Sequence, residues 1–430
     1  MPQRTVILSA GGSGGHVFPA LALSESLIKR NCNVFLVTDH RGSAFANEFP
    51  KKVQKLVMDF PNPWSGGKLG PFKSIWFFTK SLIRIIILCR RVKTTSIIGF
   101  GGYPSAASML AASILRIPSA IHEQNSVLGR VNKIFSNNVD LIVLGIKPMV
   151  KINTKTKVLI LGNPVRQSIF KDSLIAYSKL KSDTFVILAL GGSQGASFVS
   201  SIVCDSIVGL PEKVRRKIRI FHQCRQEDLD LVQKKYAYFN INSHVKTFFD
   251  DISSHLNAAH LVISRSGASS IAEICVFGRP SILLPLPSAI GDHQAKNASV
   301  LEEAGASVVL HQEFVSAANL SNQILYLLKN FEIANNMSIE AKKLSKPNAA
   351  EDFADEIEKF QPEGALLHTA LHYGISQALL QATALAQKRT PAEIVANEYE
   401  CVIATDPIPI LGMCPTPQTF MVEKMIMKGV

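Results

Sequence analysis

Two kinds of hydrophobic pattern alternate along the chain: short runs rich in β-branched residues, and longer stretches whose apolar positions recur at helical spacing. Short apolar runs between turn residues are typical of strands, whereas a 3.6-residue period is typical of helices. In the first half the pattern predicts a helix over 19–31 and strands at 5–9, 33–38, 94–98, 120–122 and 141–144. Strands that alternate with helices predict a parallel sheet covered by helices.

The second half repeats the arrangement of the first. Its predicted strands are 185–190, 218–222, 261–264, 281–284 and 307–310. VILALGGSQG at 186–195 matches VILSAGGSGG at 6–15, and each copy places a glycine turn directly after a strand. We therefore expect two α/β domains with a cleft between them. Their boundary is predicted near Arg166, just after Asn163 and Pro164, because the residue before a proline is forced into an extended or turning conformation.

Composition sets the size and class of the protein. At roughly 150 residues per domain, a chain of 430 residues suffices for two or three domains, and 47% apolar with 18% charged residues is ordinary for a globular protein. The net charge of +13 favours an anionic partner such as phosphate, nucleic acid or acidic lipid. Seven cysteines without a CxxC spacing indicate neither a disulfide framework nor a zinc site, so a reducing cytoplasm fits best.

The apolar runs predict neither a signal peptide nor a membrane-spanning helix. The first run stops after about four residues at a glycine turn, which is typical of a strand rather than of a signal peptide. The most apolar stretch, 75–89, is broken by Lys80 and Arg84 and is shorter than the roughly 18 uncharged residues that a spanning helix needs. No transmembrane segment is predicted.

The first glycine turn, 11–15, is a candidate anion site. Glycine N–H groups at the start of a helix can approach a phosphate closely, although a tight loop explains such a turn equally well. The spacing differs from GxGxxG, but Asp39 lies where a dinucleotide fold places its ribose-binding acid, so an NAD-dependent oxidoreductase stays open. The imidazole of His16, directly after the turn, can take a proton from a hydroxyl near neutral pH; a single histidine is more often a packing residue.

Further polar turns follow other predicted strands, at 99–103, 122–125 and 191–195. Such loops converge at the carboxyl edge of an open α/β sheet, where ligands bind. In the second half, 264–268 opens a helix in which ionised Glu273 could accept two hydroxyl hydrogen bonds from a ribose. The loop 291–297 is rich in groups that hydrogen-bond sugars. A surface acid and a solvated loop are the alternatives for these last two features.

The segment 60–122 contains no acidic residue but eight basic ones. On a helix, Lys73, Lys80, Arg84 and Arg91 form one basic stripe beside apolar positions. This pattern indicates a helix that lies in an anionic lipid leaflet. The alternative is a buried helix whose basic side chains reach solvent. Nucleic acid is a less favoured partner, because the aromatic residues are grouped with aliphatic ones rather than spread among the basic residues.

Eight segments together resemble one protein family. In chain order they are GGSGGHVFPALAL at 11–23, GFGGYPSAAS at 99–108, IHEQNSVLGRVNK at 121–133, GNPVR at 162–166, GGSQGA at 191–196, FFDDI at 248–252, RSGASSIAEI at 265–274 and DHQAKNA at 292–298. The chain resembles the MurG family of bacterial peptidoglycan glycosyltransferases over about 6–360. Ser13 stands where the family has Thr, which keeps a hydroxyl. The segment 361–430 lies outside the match and remains an unassigned tail.

The resemblance implies the GT-B fold, in which two Rossmann-like parallel-sheet domains face a cleft and a C-terminal helix returns to the first domain. It implies a metal-independent, inverting transfer of N-acetylglucosamine from UDP-GlcNAc, without a cofactor. The acceptor would be the C4 hydroxyl of MurNAc in undecaprenyl-pyrophosphoryl-MurNAc-pentapeptide (lipid I), and the product lipid II. Residues 1–165 would bind the acceptor and the membrane, and 166–360 would bind UDP-GlcNAc. The enzyme would be peripheral to the cytoplasmic face of the inner membrane, with anionic lipid and with cell-wall and division proteins as partners.

The resemblance also implies roles for individual residues. His16 would be the general base. The residues that would contact UDP-GlcNAc are Ser13, Gly14, Gly15, Asn125, Arg166, Ser193, Ile252, Ala268, Ser269, Ser270, Ile271, Ala272, Glu273 and Gln294. The membrane patch would consist of Lys73, Ile75, Trp76, Phe77, Lys80 and Arg84.

Three other functions stay open on the sequence. A soluble GT-B UDP-GlcNAc 2-epimerase would share the nucleotide site but would not need an acid-free apolar helix. An NAD-dependent oxidoreductase would bind NADH through Asp39. A non-catalytic sugar-nucleotide sensor at the membrane would bind the donor without turnover.

Overall fold

The computed structural model of the chain describes residues 3–59, 70–170, 175–180, 183–191, 197–360 and 369–398. Two compact units divide the chain, 1–363 and 364–430. The first unit contains both parallel sheets. Within the described part of the second unit, α15 spans Thr369–Ala386 and α16 spans Pro391–Glu398.

The first sheet has seven strands in the order β3-β2-β1-β4-β5-β6-β7, and every described pairing is parallel. The strands are β1 (Thr5–Ser9), β2 (Asn33–Asp39), β3 (Gln54–Met58), β4 (Ser96–Gly99), β5 (Ser119–Glu123), β6 (Leu141–Leu144) and β7 (Lys157–Ile160). The helices are α1 (Gly14–Lys29), α2 (His40–Ser43), α3 (Gly70–Arg91), α4 (Gly102–Leu115) and α5 (Arg130–Phe135).

The second sheet has six parallel strands in the order β10-β9-β8-β11-β12-β13. The strands are β8 (Phe185–Leu190), β9 (Ile218–Gln223), β10 (Asn242–Lys246), β11 (Leu261–Ser264), β12 (Ser281–Leu283) and β13 (Ser307–Val309). The helices are α6 (Ser197–Val208), α7 (Glu212–Arg215), α8 (Gln226–Tyr238), α9 (Ile252–Ala258), α10 (Ala268–Phe277), α11 (His293–Glu303), α12 (Ala317–Lys329), α13 (Phe331–Leu344) and α14 (Ala349–Glu358).

Each sheet has an apolar core on both faces. In β1, Val6 and Leu8 belong to one buried cluster and Ile7 to another, because successive side chains of a strand point to opposite faces. In β8, Ile187 and Leu188 divide between two clusters in the same way. The predicted pair of parallel sheets covered by helices is therefore confirmed. The domain boundary at Arg166 lies in the connection between β7 and β8 and stays a prediction.

The last helix of the first unit returns to the first sheet. Phe353, Ala354 and Ile357 of α14 belong to the cluster that contains Val6 and Leu8, and α14 packs along α1. The His122 ring stacks on Phe353, with centroids 5.7 Å apart. This confirms the expected return of a C-terminal helix to the first domain.

The predicted start of the first helix is wrong. The first helix begins at Gly14 rather than at Pro19, and Pro19 lies inside it. Ser13 is the extended residue before the helix, so the glycine turn itself supplies the first helical turn. Backbone N–H groups near Ser13 are consequently those of a helix N-terminus.

Candidate functional site

The glycine turn after β1 is held by a buried carboxylate. Oδ1 of Asp39 accepts hydrogen bonds from the backbone N–H of Gly12, at 2.9 Å, and of Gly42, at 2.7 Å. Asp39 is only 6% exposed. Asp39, the residue that could bind a ribose in an NAD-dependent oxidoreductase, therefore stabilises the glycine turn.

His16 lies on the first turn of α1, with one ring nitrogen already engaged. Its Nδ1 is 2.8 Å from the carbonyl oxygen of Gly11. A carbonyl oxygen only accepts hydrogen bonds, so Nδ1 carries the proton in the neutral ring and Nε2 bears the free lone pair. The neutral His16 ring is thus set to accept a proton at Nε2.

Gly101 leaves room for that Nε2 atom. A Cβ at position 101 would lie 3.1 Å from His16 Nε2, and the residue has a φ of +98°, which side-chain-bearing residues rarely adopt. The turn at 99–103, which was predicted to converge with the first glycine turn, therefore lies next to His16 at Gly101.

The loop that carries Asn125 is fixed by a second buried carboxylate, Glu123. Oε1 of Glu123 accepts from the backbone N–H and the Nδ2 of Asn125, at 3.2 and 3.0 Å. Oε2 accepts from Gly129 N at 2.7 Å and from Asn132 Nδ2 at 2.8 Å. Four N–H donors therefore hold the loop in one conformation.

The N-terminus of α10 is the corresponding feature of the second sheet. Gly267 precedes the helix without a side-chain cap, and the first bond of the helix runs from Ile271 N to Gly267 O at 2.9 Å. The N–H groups of Ala268, Ser269 and Ser270 precede that first bond and are the donors that a helix N-terminus presents to an anion. Ser269 Oγ is buried and has no hydrogen-bond partner among the described residues.

Two more residues of α10 were predicted to contact the donor, Ile271 and Ala272. The Ile271 side chain is 3% exposed and belongs to the second-sheet core, against which Ala272 packs. Their side chains therefore serve packing in this core.

Arg166 joins the two halves of the first unit. Its Nη1 is 3.0 Å from Glu48 Oε2, its Nη2 is 3.6 Å from Glu273 Oε1, and its Cζ lies 4.3 Å above the Phe18 ring of α1. Burial raises the pKa of Glu273, and the Arg166 guanidinium opposes that rise. The structure thus places Glu273 in contact with Arg166, next to α1.

Gln294 follows β12 and Ile252 follows β10, two strands that three others separate in the second sheet. Gln294 Oε1 accepts from Leu286 N at 3.1 Å, and the Gln294 carbonyl accepts from Ser266 Oγ at 2.8 Å. Ile252 is the first residue of α9 and follows Asp251, which caps the helix. Ser193 lies in 192–196, outside the described residues.

One polar contact between the halves was not predicted from the sequence. The fully buried Asn297 accepts from Ser126 N at 2.9 Å, and its Nδ2 donates to Asn125 Oδ1 at 3.0 Å and to Ser266 O at 3.3 Å. Asn297 lies in DHQAKNA, one of the segments that resemble the MurG family, and this position was the only indication in the sequence that the residue matters. It connects the Asn125 loop to the turn before α10.

No three His, Cys, Asp or Glu side chains in the described part of the chain are grouped so that they could hold a metal ion.

The predicted membrane helix, α3, has three distinct faces. Ser81, Ile85 and Cys89 are buried against the first sheet. On the opposite side Trp76 is 69% exposed and Ile83 and Ile87 are more than half exposed, although only Trp76 of these three was predicted.

Beside this apolar side of α3 lie the exposed Lys80 and Arg84. Ile75 is also exposed, Phe77 is half-buried, and the Lys73 side chain lies outside the described part. No described helix is long and apolar enough to cross a membrane.

Family models match both halves of the first unit. The N-terminal domain model of glycosyltransferase family 28 matches residues 6–143, and the C-terminal domain model of the same family matches 186–353. A model of the methylaspartate ammonia-lyase N-terminus matches 331–400 and overlaps the second of these models over 331–353.

Curated relatives are similar along most of the chain. A UDP-N-acetylglucosamine--N-acetylmuramyl-(pentapeptide) pyrophosphoryl-undecaprenol N-acetylglucosamine transferase of Agrobacterium fabrum is 38% identical over 83% of this chain and 95% of its own length. A transferase of the same name from Caulobacter vibrioides is 36% identical over 83% of this chain and 99% of its own.

Solved structures agree with these relatives. MurG of Acinetobacter baumannii has a TM-score of 0.68 and 27% identity, and covers 83% of this chain and all of its own. A UDP-GlcNAc 2-epimerase of Neisseria meningitidis has a TM-score of 0.56 at 12% identity, over 83% of this chain and all of its own, which shows a shared fold only. Glycosyltransferase sequence similarity therefore distinguishes the chain from the epimerases. The chain is a GT-B glycosyltransferase and belongs to the MurG family within glycosyltransferase family 28.

Proposed function

We propose that the chain transfers N-acetylglucosamine from UDP-GlcNAc to the C4 hydroxyl of MurNAc in lipid I, and so forms lipid II. The names of relatives at 36–38% identity support this substrate pair. One observation supports the mechanism above all others. Helix α1, which carries His16, packs against helix α10, which carries Glu273, and Arg166 contacts both helices through Phe18 and Glu273.

His16 is the proposed general base. The acceptor oxygen attacks the anomeric carbon of N-acetylglucosamine, the bond from that carbon to the UDP oxygen breaks, and the acceptor proton passes to His16 Nε2. The hydrogen bond from Nδ1 to the Gly11 carbonyl supports this role, because it leaves Nε2 unprotonated in the neutral ring. A single displacement of this kind inverts the anomeric configuration and needs no covalent intermediate.

The first turn of α10 is the proposed site of the departing diphosphate. The N–H groups of Ala268, Ser269 and Ser270 lie at the positive end of the helix and can stabilise the charge that develops on UDP. Arg166 supplies a full positive charge next to this helix. We propose that these groups suffice without a metal ion. The buried Ser269 hydroxyl supports the assignment, because a phosphate oxygen would give it a partner.

The remaining donor contacts are proposed as follows. Glu273 accepts hydrogen bonds from the ribose diol and Ile252 meets uracil through its backbone. Asn125 and Gln294 contact the sugar, with Ser13, Gly14 and Gly15 beside it, and Ser193 approaches the diphosphate. The fixed Asn125 loop and the bound amide oxygen of Gln294 support these roles, because a preorganised polar group loses less entropy when it binds a ligand.

The apolar and basic sides of α3 are the proposed membrane contact. Trp76, Ile83 and Ile87 would enter the lipid, while Lys80 and Arg84 would meet anionic head groups on the cytoplasmic face. This docking would bring residues 1–165 to the lipid-linked acceptor and make the enzyme peripheral. Cell-wall and division proteins remain predicted partners.

A transfer assay tests the proposed function. The full chain is incubated with radiolabelled UDP-GlcNAc and a lipid I analogue, with and without a chelator, and the configuration of the product linkage is read by NMR. We expect one UDP per labelled lipid, an inverted linkage and equal rates with chelator. Labelled UDP-N-acetylmannosamine without labelled lipid would instead indicate an epimerase, and loss of turnover on chelation would contradict metal independence.

A further inference from the structure

A cavity lies away from the His16 turn, between the two sheets of the first unit. It has a volume of about 240 Å³ and is lined by apolar residues of both halves, among them Ile146, Ile160, Ile271, Val276 and Val300. Ile271 and Val276 of α10 line it, whereas the free N–H groups of that helix are at its N-terminus. Such a concave apolar space of modest size fits a short hydrocarbon chain rather than a sugar nucleotide.

The rim of this cavity is basic. Lys147, Lys343 and Lys346 line it, and none of the described lining residues is acidic. Lys343 is paired with Glu340 at 2.7 Å. Lys147 and Lys346 come from opposite halves, and neither has an ion-pair partner within the described residues. Two unpaired ammonium groups at the mouth of an apolar cavity are complementary to an anionic head on an apolar tail.

A buried hydroxyl adds a hydrogen-bond donor. Ser345 lines the same cavity, and its Oγ is buried and has no hydrogen-bond partner among the described residues. Buried hydroxyls in folded proteins normally have a partner, so an oxygen of a ligand would satisfy it. A carboxylate accepts hydrogen bonds only, which matches the donors that Ser345, Lys147 and Lys346 provide.

We propose that this cavity, at the interface of the two sheets, binds a medium-chain fatty acid. The hydrocarbon chain lies against Ile271, Val276 and Val300, and the carboxylate meets Lys147, Lys346 and the Ser345 hydroxyl. The bound molecule would contact both halves and the back of α10. This site is separate from the proposed transfer reaction and does not depend on it.

Calorimetric titration of the full chain with laurate tests the proposal, with dodecyltrimethylammonium as a probe of equal chain length and opposite charge. Both are used below their micelle concentrations and without UDP-GlcNAc. We expect saturable binding of one laurate per chain and at least tenfold weaker binding of the cation, about the factor that two favourable surface ion pairs provide. Equal affinity for both probes, or no saturable laurate binding, would overturn it.

Variants distinguish the cavity from the apolar side of α3. Val300→Phe fills the cavity and should abolish binding, and Lys147→Glu with Lys346→Glu should weaken it about tenfold or more. The matched control variant, Lys213→Glu with Lys234→Glu, changes two exposed helical lysines and should bind laurate as the parent does.

Ile83→Asp with Ile87→Asp should also leave laurate binding intact, because these residues lie on α3. Melting temperatures verify that each variant is folded. If Val300→Phe does not fold, the Lys147→Glu with Lys346→Glu variant still tests the site, because both lysines are exposed. Binding that is lost in the α3 variant and kept in the lysine variant would contradict the proposal.

Discussion

At the scale of single residues, the chemistry depends on how side chains are held rather than on which ones are present. The sequence predicted His16 as a base but gave no information about its tautomer, which follows from the 2.8 Å contact between Nδ1 and Gly11 O. The sequence likewise suggested that Asp39 binds a ribose, whereas in the structure its Oδ1 atom accepts hydrogen bonds from two backbone N–H groups. Both outcomes depend on turn geometry that a linear pattern does not contain.

Replacement of His16 tests the general base. His16→Ala should lower kcat by about a hundred- to ten-thousand-fold, the usual contribution of general base catalysis, and should leave the Kd for UDP-GlcNAc largely unchanged. Steady-state turnover and calorimetric donor binding measure the two quantities. Nearly parental turnover in His16→Ala would assign the proton transfer to another group.

Glu273 is proposed to affect donor binding rather than the chemical step. Glu273→Gln keeps the shape but removes the charge, and a hydrogen bond to a charged group contributes about 1.5–3 kcal/mol. We expect the Kd for UDP-GlcNAc to rise tenfold or more, with a smaller change in kcat. The control is Glu332→Gln, an exposed acid of α13, which should bind the donor as the parent does. An unchanged Kd in Glu273→Gln would remove the ribose assignment.

At the scale of elements, the central strands were predictable, whereas three of the four edge strands were not. Strands 5–9, 141–144, 185–190 and 261–264 match the structure to the residue. The three strands that the apolar pattern missed, β3, β7 and β10, all lie at sheet edges. An edge strand is covered on fewer sides, and QKLVM, KVLI and NSHVK accordingly have exposed positions and each begin with a polar residue.

Helix α3 also shows what a sequence pattern leaves undetermined. Its composition indicated an unusual helix, but only the packing shows which apolar residues are left exposed. Ile83 and Ile87 lie opposite the buried Ile85, and no sequence pattern separates these three isoleucines without knowledge of which face meets the sheet.

Charged substitutions on the exposed side of α3 test the membrane contact. Ile83→Asp with Ile87→Asp should reduce binding to anionic vesicles at least tenfold, because burial of each isoleucine contributes about 1.5 kcal/mol or more. Vesicle flotation measures the bound fraction. Leu231→Asp, at a leucine of α8 that is 70% exposed, is the matched control and should float as the parent does. Equal flotation of all three proteins would exclude α3 as the contact.

At the scale of the whole molecule, Asn297 couples the halves. Asn297→Asp keeps the acceptor for Ser126 N but replaces the donor to Asn125 Oδ1 and Ser266 O with a second acceptor. The buried mismatch should cost about 1–3 kcal/mol of unfolding free energy and should lower kcat. Urea unfolding and turnover are the measurements, with Asn322→Asp on the exposed side of α12 as control. Parental values for Asn297→Asp would show that the contact has no coupling role.

Two fully buried histidines make stability depend on pH. Burial lowers the pKa of His122 and of His222 from 6.5 to about 4. Between these values the unfolded chain binds more protons than the folded chain, so the unfolding free energy should fall as pH is lowered from about 6.5 to about 4. The slope is up to ~1.4 kcal/mol per histidine per pH unit.

Urea unfolding across that pH range measures the slope. His222→Gln should flatten it, whereas His40→Gln, at an exposed histidine, should not. A slope that is the same in the parent and in His222→Gln would contradict the assignment.

The central claim is that a UDP-sugar binds between the first turns of α1 and α10. The most direct measurement is a crystal structure of the chain with UDP-GlcNAc. We predict the diphosphate against the N–H groups of Ala268, Ser269 and Ser270, the ribose diol on Glu273, and the anomeric carbon facing His16 Nε2. A donor bound elsewhere, or an anomeric carbon turned away from His16 with the diphosphate off α10, would contradict the account.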